Sequence, residues 1–199
     1  LCRRRLHPDL PGFQPQGREL DPVSGLPRQV RLTGPAIDMI LIPGGETDIG
    51  SDRYPASQPV HTVLTDHFYL GKYEITQAEW AAIMQTPAPA PAAARLPATG
   101  ISWDDAQEFM RRLNAQVPGA GFRLPTEAEW EHAARQGGAT TTLNATAWFN
   151  AKPAPRPVGQ GQPDKLGLHD LQGNVWEWCA NSYAPYPDPA TQPGSLKVL

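Results

Sequence analysis

The segment Gly173-Asn174-Val175-Trp176-Glu177-Trp178-Cys179 sets one carboxylate between two tryptophans, directly after Gly167-Leu168-His169-Asp170-Leu171-Gln172. A strand buried on one face alternates apolar with neutral polar residues. Here Val175 and Trp176 are adjacent and a charge follows them. An unpaired charge against indole rings is either costly, by roughly several kcal/mol, or is lost by protonation. Any fold this chain adopts must therefore bring Glu177 a partner.

The partner has to be found in a chain poor in long regular elements. Twenty-three prolines and 18 glycines among 199 residues exceed the combined average usage of about 12 %, yet stay under the roughly 25 to 30 % that marks disorder. With 40 % hydrophobic residues and six tryptophans, the composition describes a folded domain with much irregular backbone. Its length suits one domain with a sizeable core. The net charge of −3 argues against a nucleic-acid or anionic-membrane binder. The basic run Arg3-Arg4-Arg5 reads as a solvated arm. Two cysteines, Cys2 and Cys179, are too few for a disulfide framework and do not reveal the redox compartment. No apolar run approaches the ~20 residues that span a bilayer. Because the sequence starts at Leu1 without a methionine and stops at Leu199, it reads as a fragment. A leader, an anchor and the cellular location all stay open.

Residues 1–35 are rich in Pro and Arg without apolar periodicity, and are expected to form a linker or extended arm ahead of a domain over 36–199. The run Ile37-Asp38-Met39-Ile40-Leu41-Ile42, stopped by Pro43-Gly44-Gly45, predicts a buried strand and turn. Val60 to Tyr73 reads as extended and is expected to hold most of the sheet. Three helix starts are legible. Thr76-Gln77-Ala78-Glu79 is a capping box, with Ile75 and Trp80 at the spacing of a hydrophobic staple. Ser102-Trp103-Asp104-Asp105 opens a second helix striped by Ala106, Phe109, Met110 and Leu113. Thr126-Glu127-Ala128-Glu129 opens a third, with Trp130, Ala133 and Ala134 inward and Gly137-Gly138 at its end. The string Thr-x-Ala-Glu-Trp occurs in the first and third helices, which two copies explain as reuse of one cap rather than as a repeat architecture. Gln85–Gly100 and Gly138–Leu166 are long loops.

Familiar catalytic signatures are mostly missing. There is no His-Glu-x-x-His pair, no Gly-x-Ser-x-Gly elbow and no Walker loop, and Gly159-Gln160-Gly161 lacks the third glycine of a dinucleotide fingerprint. His7, His61, His67, His132 and His169 are scattered and read as structural or surface residues. Asn144-Ala145-Thr146 fits a glycosylation sequon. Glu127, Glu129 and Glu131 suit the positive end of a helix dipole, and Arg123 stands ready to pair with one of them or with a carboxylate elsewhere. Asp170, Gly173, Val175 and Glu177 are different: two carboxylates bracket a short turn whose carbonyls can face one side, a hard-oxygen set that suits Ca²⁺. The alternative is that Asp170 caps a turn while Glu177 pairs with an arginine such as Arg123.

Pro43-Gly44-Gly45 with Ile49-Gly50-Ser51, Pro59-Val60-His61, Tyr73-Glu74-Ile75-Thr76, Ile101 to Ala106, Phe122-Arg123-Leu124-Pro125-Thr126-Glu127-Ala128-Glu129-Trp130-Glu131 and Gly167 to Trp178, read in order, resemble the formylglycine-generating enzyme family, also called sulfatase-modifying factor domains. The resemblance covers roughly Met39 to Leu199. It implies a compact α+β fold related to C-type lectin domains, with little regular secondary structure and with its C-terminal part beyond this chain. It also implies structural calcium at the positions matching Asp170, Gly173, Val175 and Glu177; where the family's turn often has Asn, this chain has Asp170.

Activity in the family is the O₂-dependent oxidation of a sulfatase cysteine to formylglycine by a copper-binding cysteine pair. That pair lies downstream of the residues matched here, so copper is implied only if a later cysteine pair exists, and no catalytic residue is assigned. Cys179 follows the tryptophan turn and takes a structural role, while Cys2 lies outside the match. Two functional classes are expected to compete. One is an oxygen-dependent enzyme domain acting on a sulfatase or another protein or peptide substrate, including relatives that form C–S bonds with a separate iron-binding domain. The other is a non-catalytic binding or display module on the same lectin-like scaffold.

Overall fold

Short apolar runs interrupted by proline and glycine give short strands. In the computed structural model, which describes residue 10, residues 12–138 and 155–182 and the backbone of 193–197, no strand exceeds five residues. The principal sheet is antiparallel and four-stranded, in the order β1 (Phe13–Pro15), β2 (Gln29–Leu32), β3 (Asp38–Ile42) and β6 (Phe68–Gly71). Val30 faces Met39 in the β2–β3 register, and Ile40 faces Leu70 in the β3–β6 register. A separate ribbon pairs β4 (Gly45–Ile49) with β5 (His61–Thr65). A third pair joins β7 (Glu177–Asn181) to β8 (Pro193–Lys197).

The predicted strand at 37–42 forms as β3. Its exit needs a glycine, because a Cβ on Gly44 would stand 2.6 Å from the Thr65 carbonyl oxygen. Val60 to Tyr73 does not hold most of the sheet: it supplies β5 to the ribbon and only β6 to the principal sheet. The other two strands come from the expected arm, which is corrected over its described part. Val30 and Leu32 are fully buried, Arg31 pairs with Asp38 at 2.6 Å across the strand pair, and the Tyr69 hydroxyl donates to Pro27 O at 2.7 Å. Four residues alternating in and out are too short a signal to separate from loop, and Arg31 looked like solvated charge because its partner lies on the next strand.

Helices begin where the caps stand. The three α-helices among the described residues, α1 (Gln77–Met84), α2 (Trp103–Gln116) and α3 (Glu127–Gln136), carry a complete capping box on Thr76, Ser102 and Thr126. In α1, for example, Glu79 N–H donates to Thr76 Oγ1 at 3.2 Å while Thr76 N–H donates to Glu79 Oε2 at 2.7 Å. Two apolar clusters hold the elements together. Leu32, Ile37, Ile83, Phe109, Leu113 and Val117 join the sheet to α1 and α2, with the rings of Trp80 and Phe109 stacked at 5.1 Å. Ile40, Ile42, Trp130, Ala133, Leu168, Leu171 and Cys179 join it to α3 and β7.

Helix α3 does more than its apolar face requires. Glu131 accepts from Gly50 N–H at 2.9 Å, and the fully buried His132 meets Thr47 Oγ1 at 2.6 Å through Nδ1 and Pro43 O at 2.8 Å through Nε2. The ribbon is thereby fastened to the helix by polar bonds. His132 is structural, as expected. The sequon at Asn144 and most of the loop after Gly138 lie outside the described residues, as do the Arg3–Arg5 run, Cys2 and His7. Among the described residues no helix is long and apolar enough to cross a membrane.

If β2 is part of the core, Leu32→Ala should lower the unfolding free energy by about 2–5 kcal/mol, read from a urea titration. An unchanged midpoint would mean that this segment is not packed in solution.

Candidate metal centre

The region before β7 is irregular, so its backbone groups need side-chain partners. Asp164 supplies three of them: its Oδ1 accepts from the N–H groups of Leu166, Gly167 and Leu168 at 2.8, 2.9 and 2.9 Å. Six residues on, the chain turns left-handed at Asp170, with φ of 59°. Its carboxylate accepts from Gly159 N–H at 2.6 Å and faces Arg156 Nη2 at 3.5 Å. A second left-handed residue, Asn174, follows Gly173 at φ of 59°. The Asn174 amide engages both backbone groups of Arg156: Arg156 N–H donates to Oδ1 at 3.0 Å, and Nδ2 donates to Arg156 O at 3.2 Å.

Glu177 finds its partner in an indole other than its sequence neighbours. Trp130 Nε1 on α3 donates to Glu177 Oε2 at 3.0 Å. Trp178 Nε1 instead donates to Ile101 O at 2.9 Å, and Trp176 is 54 % exposed. Arg123 does not reach Glu177; it is paired bidentately with Glu129 at 2.6 Å for both bonds. Of the alternative reading, the Glu177–Arg123 pair is not formed, and the Asp170 carboxylate bonds Gly159 N–H, eleven positions away, rather than an amide of its own turn.

A third carboxylate enters from an element the sequence reading passed over. Glu74 lies between β6 and α1, and both of its carboxylate oxygens are buried without a hydrogen-bond partner. Burial, then the charges of Glu177 and Asp170, push its pKa up to about 9 against weaker opposition from its own backbone and from the nearby Asn174 side chain, which does not reach ordinary hydrogen-bond geometry. Glu177 is likewise raised to about 7, chiefly by burial, with Asp170 adding to the rise and the Trp130 bond opposing it. Glu74 stands in the motif Tyr73-Glu74-Ile75-Thr76 just ahead of a capping box, and nothing local, with Lys72 two residues before it, marks its carboxylate as buried.

The residues expected as ligands stand within one eight-residue stretch, and the structure adds Glu74 to their neighbourhood. Asp170 raises the pKa of both glutamates and Glu177 adds to that of Glu74, so the two glutamates lack positive charge beside them. With turn carbonyls beside them, they offer the hard oxygen set that Ca²⁺ prefers. Among the described residues no three Asp, Glu, His or Cys side chains are already drawn together to hold an ion, and the Asp170 carboxylate is turned toward Gly159 and Arg156. Glu74, Asn174, Trp176 and Glu177 also border a cavity of about 840 Å³ that runs between β6 and α2, with Trp80 and Phe109 on its far side.

Comparison with known proteins agrees with this architecture. A protein called chaperone protein LppX from Paenibacillus barcinonensis is 27 % identical over 201 residues, covering 71 % of this chain and 70 % of that protein. The formylglycine-generating enzyme of Streptomyces coelicolor is 27 % identical over 224 residues, covering 73 % and 69 %. The structure of PvdO from Pseudomonas aeruginosa superposes with a TM-score of 0.67 at 24 % identity, over 81 % of this chain and 77 % of that one, which establishes the formylglycine-generating-enzyme-like α+β fold. The model of the sulfatase-modifying factor enzyme 1-like domain matches residues 24–199, and the chain belongs to that family.

Proposed function

We propose that this chain is the calcium-organised scaffold of a formylglycine-generating-type domain and that these 199 residues do not oxidise cysteine by themselves. The observation that carries the calcium reading is Glu74: two buried, unpartnered carboxylate oxygens beside the charges of Glu177 and Asp170. The ion would be held by Asp170 and Glu177, the carbonyls of Gly173 and Val175, and Glu74 as an added ligand. Bound Ca²⁺ would supply the positive charge this centre lacks and no redox chemistry. The protein's part is to keep the turn in place from both sides, Trp130 orienting Glu177 and Gly159 and Arg156 orienting Asp170.

The absence of oxidase activity rests on the thiols. Cys179 is fully buried in the cluster with Ile40, Ile42 and Trp130, and the sequence has one other cysteine, Cys2. Copper would need a cysteine pair from outside these residues. With such a pair the partner would be a sulfatase or another cysteine-bearing protein. A second reading, a non-catalytic binding module, is favoured by the similarity to a protein named as a chaperone. An accessory domain of a C–S bond-forming oxygenase would need an iron-binding domain elsewhere.

Two measurements test this. Both glutamates have raised pKa values, so their contribution to stability is complete below the unfolded value of about 4.5 and is lost as pH climbs through about 7 and about 9. In chelator the thermal midpoint should therefore fall between pH 5 and pH 9. Calcium at 100-fold over its Kd should remove that fall and add about 2.7 kcal/mol, about 5–10 °C for a chain of this size. Glu177→Ala should not respond to calcium, and a parent midpoint indifferent to calcium would contradict the site. Separately, incubation with Cu(I), O₂ and a Cys-x-Pro-x-Arg peptide should yield no aldehyde, whereas aldehyde formation would refute the scaffold reading.

A further inference from the structure

The turn that carries the expected ligands is held by one of them, Asp170, and by a residue that is not among them, Asn174. Asp170 and Asn174, both with φ of 59°, bracket Leu171-Gln172-Gly173, and both are fastened to the same short loop. Asp170 takes Gly159 N–H and faces the Arg156 guanidinium, while Asn174 takes the N–H and the C=O of Arg156. Residues 156–159 therefore act as a strap across the turn, tied at its start and again near its end. Val158 is buried, and its N–H donates to Arg95 O at 2.9 Å, which fixes the strap to the chain ahead of α2.

Asn174 suits this position for two separate reasons. An amide offers a donor and an acceptor together and so can satisfy both backbone groups of Arg156, which neither a carboxylate nor a hydrogen can do. Asparagine also tolerates the left-handed region better than other side chains do. Gly173 and Val175 are its immediate neighbours, and the torsions of Asn174 are one of the two φ/ψ pairs, with those of Val175, that set how their carbonyls stand relative to each other.

We propose that Asn174 is the positioning residue of the cation turn: its two bonds to Arg156 hold the Gly173 and Val175 carbonyls ready before an ion arrives, so that calcium affinity depends on a side chain that is not itself a ligand. This rests on the calcium reading above. Groups that orient metal ligands typically change affinity by roughly 10- to 100-fold when removed, and that is the expected scale here.

The test uses Asn174→Gly, which keeps the left-handed backbone accessible while removing both bonds, and Asn174→Asp, which keeps the acceptor for Arg156 N–H and loses the donor. Calcium alone is titrated calorimetrically into each full chain at a temperature where all are folded, and hydrogen exchange of the Arg156 amide is followed in chelator. The parent should bind, with Arg156 N–H protected. Asn174→Gly should bind roughly 10- to 100-fold more weakly and lose that protection, and Asn174→Asp should keep the protection. If Asn174→Gly has a lower melting temperature but binds calcium within twofold of the parent, the residue is merely structural and the positioning role is overturned. Unprotected Arg156 N–H in the parent would overturn the strap. Should the parent itself not bind calcium while Arg156 stays protected, the calcium reading fails and takes the positioning role with it, leaving the strap as a loop restraint.

Discussion

Glu74, Asp170 and Glu177 reach one neighbourhood from three parts of the chain: the β6–α1 connection, the left-handed turn and the first residue of β7. Their charges repel, and burial raises the cost of each. The surrounding structure is organised around compensating that charge. Trp130 gives Glu177 one hydrogen bond from α3, the strap at 156–159 gives Asp170 two polar contacts, and Glu74 has only the Asn174 side chain nearby, short of ordinary hydrogen-bond geometry. The compensation is thus incomplete in the protein alone, and the shortfall falls on the residue that joins the principal sheet to the first helix.

The rest of the molecule shows the same economy at lower stakes. A domain with this much proline and glycine has few ladder hydrogen bonds to offer, so side chains satisfy the backbone. Asp164 accepts three amides, and Asp21 accepts the amides of Val23 and Ser24. Asn114 bonds both backbone groups of Phe122, at 2.8 Å each, the arrangement that Asn174 makes with Arg156. Three capping boxes close the helix starts. Calcium at the carboxylate centre would be the same solution carried out by an ion.

Features written in a few adjacent residues were legible in the sequence. The helix starts at Thr76, Ser102 and Thr126 follow from local hydrogen-bond chemistry, and β3 follows from an apolar run stopped by Pro43 and Gly44. The family motifs led to the fold and to the turn at 170–177. Features that depend on distant pairing were not legible. Strand β2 is held by Val30 and Leu32 packing on distant residues, with Arg31 paired to Asp38 on the next strand, Glu177 pairs with Trp130 across 47 positions, and Glu74 matters only because the fold carries it to residues about a hundred positions later. Adjacency misled once: Trp176 and Trp178 flank Glu177 in sequence, yet the hydrogen bond to its carboxylate comes from Trp130.

On this account the most distinctive residues of the chain stabilise a shared scaffold, and chemistry at a cysteine depends on groups supplied from elsewhere. The central claim is that Glu74 and Glu177 face a common cation next to tryptophan. Terbium, a luminescent substitute for calcium, reports this directly when tryptophan is excited. The account predicts sensitised terbium emission that calcium displaces and that the double variant Glu74→Gln, Glu177→Gln abolishes. Emission that is absent in the parent, or that persists unchanged in the double variant, would contradict it.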